Sequence, residues 1–365
     1  MEAKDLAKQE VREAITSEIT KEGLFELKEQ TIRGNKYNVY TNAPKNLREF
    51  FQFGLMHGEW NFIAYENEQY SYQEALDKSA GLAHLLKENY KIEKGDRIAF
   101  AMRNYPEWIY SFIAITSIGA IAVPLNSWWQ GEELDYGISH SEAKVFIGDQ
   151  ERLQSLEGLA KDIPRISVRT KDKKYENTIA FEDVVEPKDH FPQTEIEPED
   201  DASILYTSGS TGFPKGVVAT HRGIITTPLS WLMLGMLASK VDGGALQKMP
   251  ENPCTLCAVP LFHVTGCHSI FLLSVLLKRN IVLMYRWNAL DALKLIEKRK
   301  VTTFNGVPTM TWEILQSHKQ NPEIDISSLL DLGAGGAVRP PEHLKAQEKE
   351  FCSRAAALYR ADRCI

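Results

Sequence analysis

Short apolar segments of strand length alternate with helical segments along most of this chain. Strand candidates at Arg97–Met102, Ile121–Leu125 and Val145–Gly148 are separated by helix candidates at Pro106–Ala120 and Glu132–Ala143. Strands joined by helices in this order form parallel sheets whose faces the helices cover. The alternation therefore restricts the chain to the α/β class.

The same alternation returns after a charged, proline-containing stretch between Lys171 and Asp201, which we interpret as a connecting region. We predict two doubly wound sheets packed through shared helices. Residues 1–190, with an N-terminal helical segment, would form the first α/β subdomain, and residues 191–365 the second. The elements predicted in the second half are strands Ile204–Tyr206, Val217–Thr220, Thr255–Val259, Ile281–Tyr285, Thr302–Phe304 and Leu329–Leu332, and helices Cys267–Leu277, Ala289–Lys298 and Met310–Ser317.

The segment Tyr206–Gly216, Tyr-Thr-Ser-Gly-Ser-Thr-Gly-Phe-Pro-Lys-Gly, joins two strand candidates. Its glycines let backbone N–H groups approach an anion, its hydroxyls add donors, and its lysine supplies a positive charge. A Walker loop needs Ser or Thr after the lysine, whereas Gly216 follows Lys215. A flexible polar linker is the alternative, but it would not require a lysine and a proline beside buried strands. The predicted phosphate-binding residues are Thr207, Ser208, Gly209, Ser210, Thr211, Gly212 and Lys215.

Residues 204–216 resemble the signature loop of the adenylate-forming superfamily, which comprises acyl- and aryl-CoA synthetases, luciferases and the adenylation domains of peptide synthetases. The resemblance extends from about Leu47 to Leu344. It implies the N-terminal large domain of the acyl-CoA synthetase type, with the C-terminal domain missing. Further matching segments are Gly119–Asn126 (an early core motif), Val259–Gly266 (the second active-site motif), Asn305–Met310 (a pocket-lining turn) and Gly333–Val338 (the adenine-binding loop).

The resemblance also implies roles for individual residues. The loop from Thr207 to Lys215 would hold the β- and γ-phosphates of ATP, and Thr211 and Lys215 would act in catalysis. His263 would lie between this loop and the acyl tunnel, where it could orient the carboxylate and act on charge developing at the α-phosphate. The adenine would lie against Gly335, Gly336 and Ala337, and the acid would contact His263, Val264, Gly266, Asn305 and Val307.

The implied reaction has two steps. A carboxylate attacks the α-phosphorus of ATP, with Mg²⁺ as cofactor, to give an acyl-adenylate and pyrophosphate, and the thiol of coenzyme A then displaces AMP. Amino-acid-activating relatives place an aspartate near the second motif, whereas Phe262–Thr265 contains no acidic residue. We therefore expect a fatty or aryl acid as the small-molecule substrate.

The end of the sequence departs from the resemblance. Relatives continue with a Tyr-Gly-x-Thr-Glu motif and a domain that carries a catalytic lysine, whereas Tyr359 is followed by Arg360–Arg363 and the sequence stops at Ile365. We expect an incomplete fragment that does not turn over, and a one-base insertion and a vector-encoded tail both remain open. The alternative is a nucleotide- or acyl-binding module without turnover.

Composition and charge restrict the classes of partner that the protein can bind. Lysine and arginine total 42 against 49 acidic residues, a net charge of -7, which argues against nucleic acid. The most membrane-like stretch, Trp108–Trp129, is interrupted by Pro124 and Asn126, so we predict a buried helix followed by a strand and no integral membrane segment. The N-terminus is densely charged and lacks the apolar core of a signal peptide, which favours the cytoplasm.

The pair Cys254-x-x-Cys257, followed by His263 and Cys267, has spacing compatible with zinc ligands. The intervening residues nevertheless have the pattern of a buried strand, and free cysteines are common in protein cores. We therefore predict buried structural cysteines and no metal ligand among them.

Overall fold

A computed structural model describes residues 3–170, 175–207, 212–241, 250–335, 337 and 340, with side-chain burial from residue 9 onward. The strands are β1 (Leu27–Ile32), β2 (Asn35–Tyr40), β3 (Asn61–Tyr65), β4 (Glu68–Ser71), β5 (Arg97–Ala101), β6 (Ile121–Pro124), β7 (Val145–Asp149), β8 (Arg165–Val168), β9 (Thr178–Ala180), β10 (Asp201–Thr207), β11 (Lys215–Thr220), β12 (Cys254–Cys257), β13 (Asn280–Leu283), β14 (Thr303–Gly306) and β15 (Asp331–Ala334). The α-helices are α1 (Ala3–Ile19), α2 (Leu47–Gly54), α3 (Tyr72–Glu88), α4 (Pro106–Ser117), α5 (Gly131–His140), α6 (Gln150–Ser155), α7 (Phe181–Val184), α8 (His221–Val241), α9 (Leu273–Leu277), α10 (Ala289–Arg299) and α11 (Pro308–Gln320). Two short 3-10 helices (Gly23–Phe25 and Leu55–His57) and a π-helix (Thr265–Leu272) complete the described elements.

The first large sheet has seven strands in the order β11-β10-β6-β5-β7-β8-β9. Its neighbouring strands are parallel except for the antiparallel hairpin of β10 and β11. Every residue of β6 and β7 is buried, as expected of central parallel strands covered on both faces. The hairpin that carries the predicted phosphate loop therefore lies at one edge of this sheet.

The second large sheet has six strands in the order β15-β14-β12-β13-β3-β4. Its strands are parallel except for the antiparallel pair β3 and β4. Strands β3 and β4 come from the first half of the chain, whereas β10 and β11 from the second half complete the first sheet. The two sheets thus exchange strands across the predicted division between residues 190 and 191.

Two helices fill the space between the sheets. Helix α3 contacts β3 and β4 of the second sheet, α4 contacts β5 and β6 of the first, and the two helices pack against each other. One hydrophobic core joins Phe62 of the second sheet and Phe100 of the first, together with Phe271 of the π-helix. This arrangement confirms the predicted α/β fold of two sheets packed through helices.

The apolar stretch around Trp108 forms the buried helix that the sequence predicts. Pro106 occupies the first turn of α4, where its missing N–H costs nothing, and every residue of the helix is buried. Strand β6 follows at the centre of the first sheet. By length and composition, α8 is the one described helix that could cross a membrane, and core helices of soluble proteins pass the same test.

The outer faces of the two sheets carry separate cores. Residues of α5 and α6 pack on the first sheet with Phe146 and Leu125, and residues of α10 and α11 pack on the second sheet with Phe304 and Leu256. Helix α10 packs on its sheet through one apolar face, which carries the buried residues Ala292, Leu293 and Ile296. The Asn288 side chain caps the first turn of this helix.

Candidate nucleotide and acid site

The two ends of the predicted phosphate loop are neighbours in the β10–β11 hairpin. Thr207 pairs with Lys215 across the hairpin, and the Thr207 hydroxyl donates to the Lys215 carbonyl over 3.4 Å. The Lys215 side chain and Gly212 are exposed. Ser208, Gly209, Ser210 and Thr211 lie outside the described residues. The described part of the loop therefore presents an exposed lysine at the start of β11, beside the carboxyl end of β10.

Gly216 allows the two arms of the hairpin to lie close together. A Cβ atom at this position would be 2.6 Å from Cγ2 of Ile204, a distance shorter than any real Cβ contact. A larger residue would therefore require the Ile204 side chain or the strand pair to shift, so glycine suits the close spacing of the hairpin directly after Lys215.

An aromatic clamp, formed by Tyr136, His140, Tyr206 and Phe213, holds the hairpin against α5. The Tyr136 ring stacks on Phe213 with centroids 4.9 Å apart, and its hydroxyl donates to the carbonyl of Pro214 over 3.1 Å. Tyr136 also stacks on His140, whose Nδ1 lies 2.8 Å from the hydroxyl of Tyr206. The clamp thus fixes the residues just before Lys215. The sequence offered one signal for it, the spacing of Tyr136 and His140 on one helix face.

The turn Val259–Gly266 follows β12, a central strand of the second sheet. The His263 N–H donates to the Pro260 carbonyl over 3.2 Å, and the Cys267 N–H donates to the His263 carbonyl over 2.9 Å. A Cβ atom at Gly266 would overlap the Pro260 oxygen and lie 2.7 Å from its carbonyl carbon. Only glycine therefore lets the π-helix begin so close to Pro260.

His263 and Val264 project from this turn while its flanking residues are buried. Val264 is 49% exposed, and the His263 ring lies 4.4 Å from Phe262 and 6.5 Å from Trp128, centroid to centroid. Partial burial lowers the pKa of His263 below its ordinary value. The imidazole is therefore neutral near pH 7 and able to donate one N–H hydrogen bond.

Two further predicted residues meet at β14 and β15. Asn305 pairs with Gly333, and its carboxamide crosses the Gly333 backbone so closely that a Cβ atom there would overlap Oδ1 of Asn305. The Gly335 N–H donates to the Gly306 carbonyl over 2.9 Å. The predicted acid-contacting and adenine-contacting segments are therefore adjacent. Val307 occupies the N-cap position of α11. Gly335 and Ala337 are exposed, and Gly336 lies outside the described residues.

These groups all lie where parallel strands end at their carboxyl termini, the usual position of ligands in open α/β sheets. Side chains that follow β5 and β6 meet the segments that follow β12 and β13. Trp128 contacts Phe262 edge to face, and Tyr105 stacks on Tyr285 at 5.7 Å. The carboxyl ends of the two sheets are therefore joined. Trp128, Tyr136 and Asn104, which also lies at this junction, were not predicted.

The cysteines of this region are buried and free. Burial raises the pKa of the Cys254 and Cys257 thiols to about 12, and it raises the pKa of Cys267 as well. Within the described ranges, no three His, Cys, Asp or Glu side chains group in a way that could hold a metal ion.

Comparisons with known proteins agree with this architecture. A family model described as "AMP-binding enzyme" matches residues 51–360. The 4-coumarate–CoA ligase 3 of Arabidopsis thaliana is 29% identical over 250 residues, which cover 67% of this chain and 42% of that protein. The 4-coumarate–CoA ligase 2 of Solanum tuberosum is 29% identical over 265 residues, 71% of this chain and 46% of that protein. The chain thus spans less than half the length of the curated relatives it matches.

Solved structures share the fold. The anthranilate CoA ligase AuaEII, in complex with anthranoyl-AMP, superposes with a TM-score of 0.74 at 21% identity, covering 86% of this chain and 58% of that chain. The N-terminal domain of FACL13 from Mycobacterium tuberculosis superposes with a TM-score of 0.70 at 21% identity, covering 84% and 73%. Because the family model matches most of its length, the chain belongs to the AMP-binding enzyme family and corresponds to the N-terminal large-domain region of the CoA ligases.

Proposed function

We propose that this chain forms the nucleotide- and acid-binding region of an ATP-dependent, adenylate-forming acid–CoA ligase. One observation carries the proposal: the loop after β10, the turn after β12 and the ends of β14 and β15 all lie at the carboxyl ends of parallel strands. In open α/β sheets this edge is where ligands bind.

In the proposed site, the loop from Thr207 to Lys215 holds the β- and γ-phosphates of ATP. Exposed Lys215 supplies the charge, and the residues outside the described ranges, Ser208 to Thr211, supply hydroxyl and backbone donors. Gly335, Gly336 and Ala337 lie against the adenine. Mg²⁺ would be held largely through phosphate oxygens of ATP and water, and it would stabilise the negative charge on those oxygens.

His263 orients the acid. Its lowered pKa leaves the ring neutral near pH 7, so it holds the carboxylate by a hydrogen bond and leaves the negative charge available for attack. The carboxylate oxygen attacks the α-phosphorus, pyrophosphate leaves, and the thiol of coenzyme A later displaces AMP. These residues contribute mainly positioning and charge stabilisation.

Val264, Gly266, Asn305 and Val307 form the proposed acid pocket. The names of the curated relatives, 4-coumarate–CoA ligases, favour an aryl acid over a fatty acid. The exposed ring of Trp128 beside Phe262 is consistent with that preference, since aromatic rings pack favourably edge to face. The proposed compartment is the cytoplasm.

Acid-dependent exchange between pyrophosphate and ATP tests the proposal. In the full-length protein that contains this region, we expect exchange, with 4-coumarate or anthranilate giving a higher rate than saturated fatty acids of similar length. Equilibrium binding of AMP and of a hydrolysis-resistant aryl-adenylate should be measured on the same preparation. Binding without exchange would support the alternative, a nucleotide- and acyl-binding module, and absence of both would contradict the proposal.

A further inference from the structure

Asn104 connects the first sheet to the acid-facing turn of the second. It follows β5, is 7% exposed, and directs its carboxamide at the ends of β12 and β13. Its nitrogen lies 3.3 Å from the carbonyl oxygen of Cys257, 3.0 Å from that of Val259 and 3.4 Å from that of Met284. Its oxygen accepts from the N–H of Leu261 over 3.0 Å.

Two of these contacts reach carbonyls that lie outside the sheet ladder, those of Val259 and Met284, whereas the Cys257 carbonyl also accepts from the Met284 N–H. Strand β12 ends at Cys257 and β13 at Leu283, so the carbonyls of Val259 and Met284 lie beyond the ladder. Buried carbonyl and N–H groups need partners, and one carboxamide supplies both donor and acceptor. Asn104 therefore holds the chain on both sides of Pro260.

The same turn leads directly to His263. The Pro260 carbonyl accepts from the His263 N–H, and Gly266 packs against that carbonyl. Any shift of the Val259–Leu261 backbone would therefore move His263 relative to the first sheet.

We propose that Asn104 is a positioning residue, which sets the location of His263 for the acid. This inference depends on the proposed function, because it takes the turn Val259–Gly266 as part of the acid site. The described bonds of Asn104 reach this turn and the end of β13, and not the β10–β11 hairpin or Gly335. Its loss should therefore weaken binding of the acyl group and leave binding of the nucleotide nearly unchanged.

The test compares two ligands and two asparagines in the full 365-residue chain. The ligands are AMP and 4-coumaroyl sulfamoyl adenosine, a hydrolysis-resistant aryl-adenylate. Asn104→Ala removes all the bonds, and Asn104→Asp keeps the shape and the acceptor oxygen but loses the donors. The second variant carries the test if the alanine variant does not fold.

Asn46→Ala is the matched control. Asn46 is also buried, at 3% exposure, donates to the carbonyl of Ile196 over 3.1 Å and accepts from the N–H of Glu49 over 3.0 Å. It thus makes the same kind of long-range backbone bridge, but at the start of α2. Its loss should lower thermal stability without a selective effect on either ligand.

We expect both Asn104 variants to bind the aryl-adenylate analogue about tenfold more weakly, which corresponds to the loss of one well-placed interaction. Their affinity for AMP should change by less than about twofold. Asn46→Ala should change both affinities by less than about twofold. Equal losses for the two ligands, or an unchanged affinity for the analogue, would overturn the inference. If the unmodified chain binds neither ligand, the proposed function fails and this inference fails with it.

Discussion

The turn Val259–Gly266 and the β10–β11 hairpin both carry predicted site residues beyond the carboxyl end of a parallel strand, yet they are held differently. The turn follows a central strand of the second sheet. It is fixed by buried hydrogen bonds to its main chain, which come from the Asn104 side chain and from the Pro260 carbonyl. The hairpin lies at a sheet edge, with exposed residues, and is held by the stacking of Tyr136 on Phe213.

Position in the sheet explains this difference. A buried turn cannot use water, so each of its polar backbone groups needs a protein partner and each close approach needs a small residue. The polar backbone groups of an edge hairpin can form hydrogen bonds with water instead. Stacking of side chains is then enough to hold the hairpin in place. Substitutions in the turn should therefore act strongly on folding, and substitutions at the hairpin mainly on ligand binding.

Gly266→Ala should give the largest loss of stability. The added methyl group would overlap the Pro260 carbonyl, which is backbone and cannot rotate away. We expect the free energy of unfolding to fall by at least about 3 kcal/mol in urea denaturation.

Gly235→Ala in α8 is the control, because a Cβ atom there would meet nothing within 4 Å. It should be neutral or stabilising by about 0.5–1 kcal/mol, since alanine is the better helix former. Equal losses of unfolding free energy in Gly266→Ala and Gly235→Ala would show that the close approach of the Pro260 carbonyl to Gly266 does not determine stability.

Acid should weaken the turn through His268, which lies in the π-helix that follows it. Burial lowers the pKa of His268 to about 4, whereas the unfolded chain has the ordinary value of about 6.5. The unfolded state therefore binds the proton first, and the free energy of unfolding should fall as pH decreases from about 6.5 to about 4, by up to about 3 kcal/mol.

Burial also lowers the pKa of His221 to about 4, and its Nδ1 accepts from the N–H of Leu47. A second loss of similar size is therefore expected in the same pH range. In His268→Leu the acid-induced loss should shrink by the share of one histidine. Urea denaturation at several pH values measures this, and an unchanged pH dependence would contradict the assignment.

Tyr136→Phe should have a smaller effect on stability. It removes the hydrogen bond to the Pro214 carbonyl and leaves the stacking on Phe213 in place. We expect a loss of about 1 kcal/mol and a loss of about threefold in ATP affinity. Tyr70→Phe is the control, since it removes a hydroxyl that donates to Glu68, away from the hairpin. If Tyr70→Phe weakens ATP binding equally, the aromatic clamp has no special role.

Lys215→Ala should leave stability within about 0.5 kcal/mol of the unmodified chain, because its side chain is exposed at the sheet edge. ATP affinity should fall about tenfold, since the charge proposed to face the phosphates is lost. Thr211→Ala should likewise lower ATP affinity and leave stability nearly unchanged. Thermal unfolding and calorimetric titration with ATP separate the two effects, and a large loss of stability with intact ATP affinity would refute the assignment.

The central elements were predictable because their local pattern is strong. Pro106 marks the start of α4, and the apolar runs of β6 and of residues 145–148 in β7 indicate strands covered on both faces. Strands β1 and β2 were not predicted because most of their side chains are exposed and polar. The helix predicted over Cys267–Leu277 begins at Thr265, and its first part, Thr265–Leu272, is a π-helix, which a continuous apolar run does not distinguish from an α-helix.

Long-range pairing was not predictable from local pattern. Strand β3 joins the second sheet by pairing with β13, and nothing in its own residues indicates which sheet it enters. Asn104 and Tyr136 were missed for the same reason, because their partners are distant in sequence. The roles of the predicted site residues, from Thr207 to Val307, stay predictions, and those of Ser208–Thr211 and Gly336 concern residues outside the described ranges.

The most direct test of the account is hydrogen–deuterium exchange with and without 4-coumaroyl sulfamoyl adenosine. One ligand that spans both sheets should slow exchange together in peptides covering residues 126–130, 258–266, 304–310 and 333–337, and leave the β1–β2 hairpin unchanged. Protection confined to one of these segments, or appearing in β1–β2 instead, would contradict a single site at the joined carboxyl ends of the two sheets.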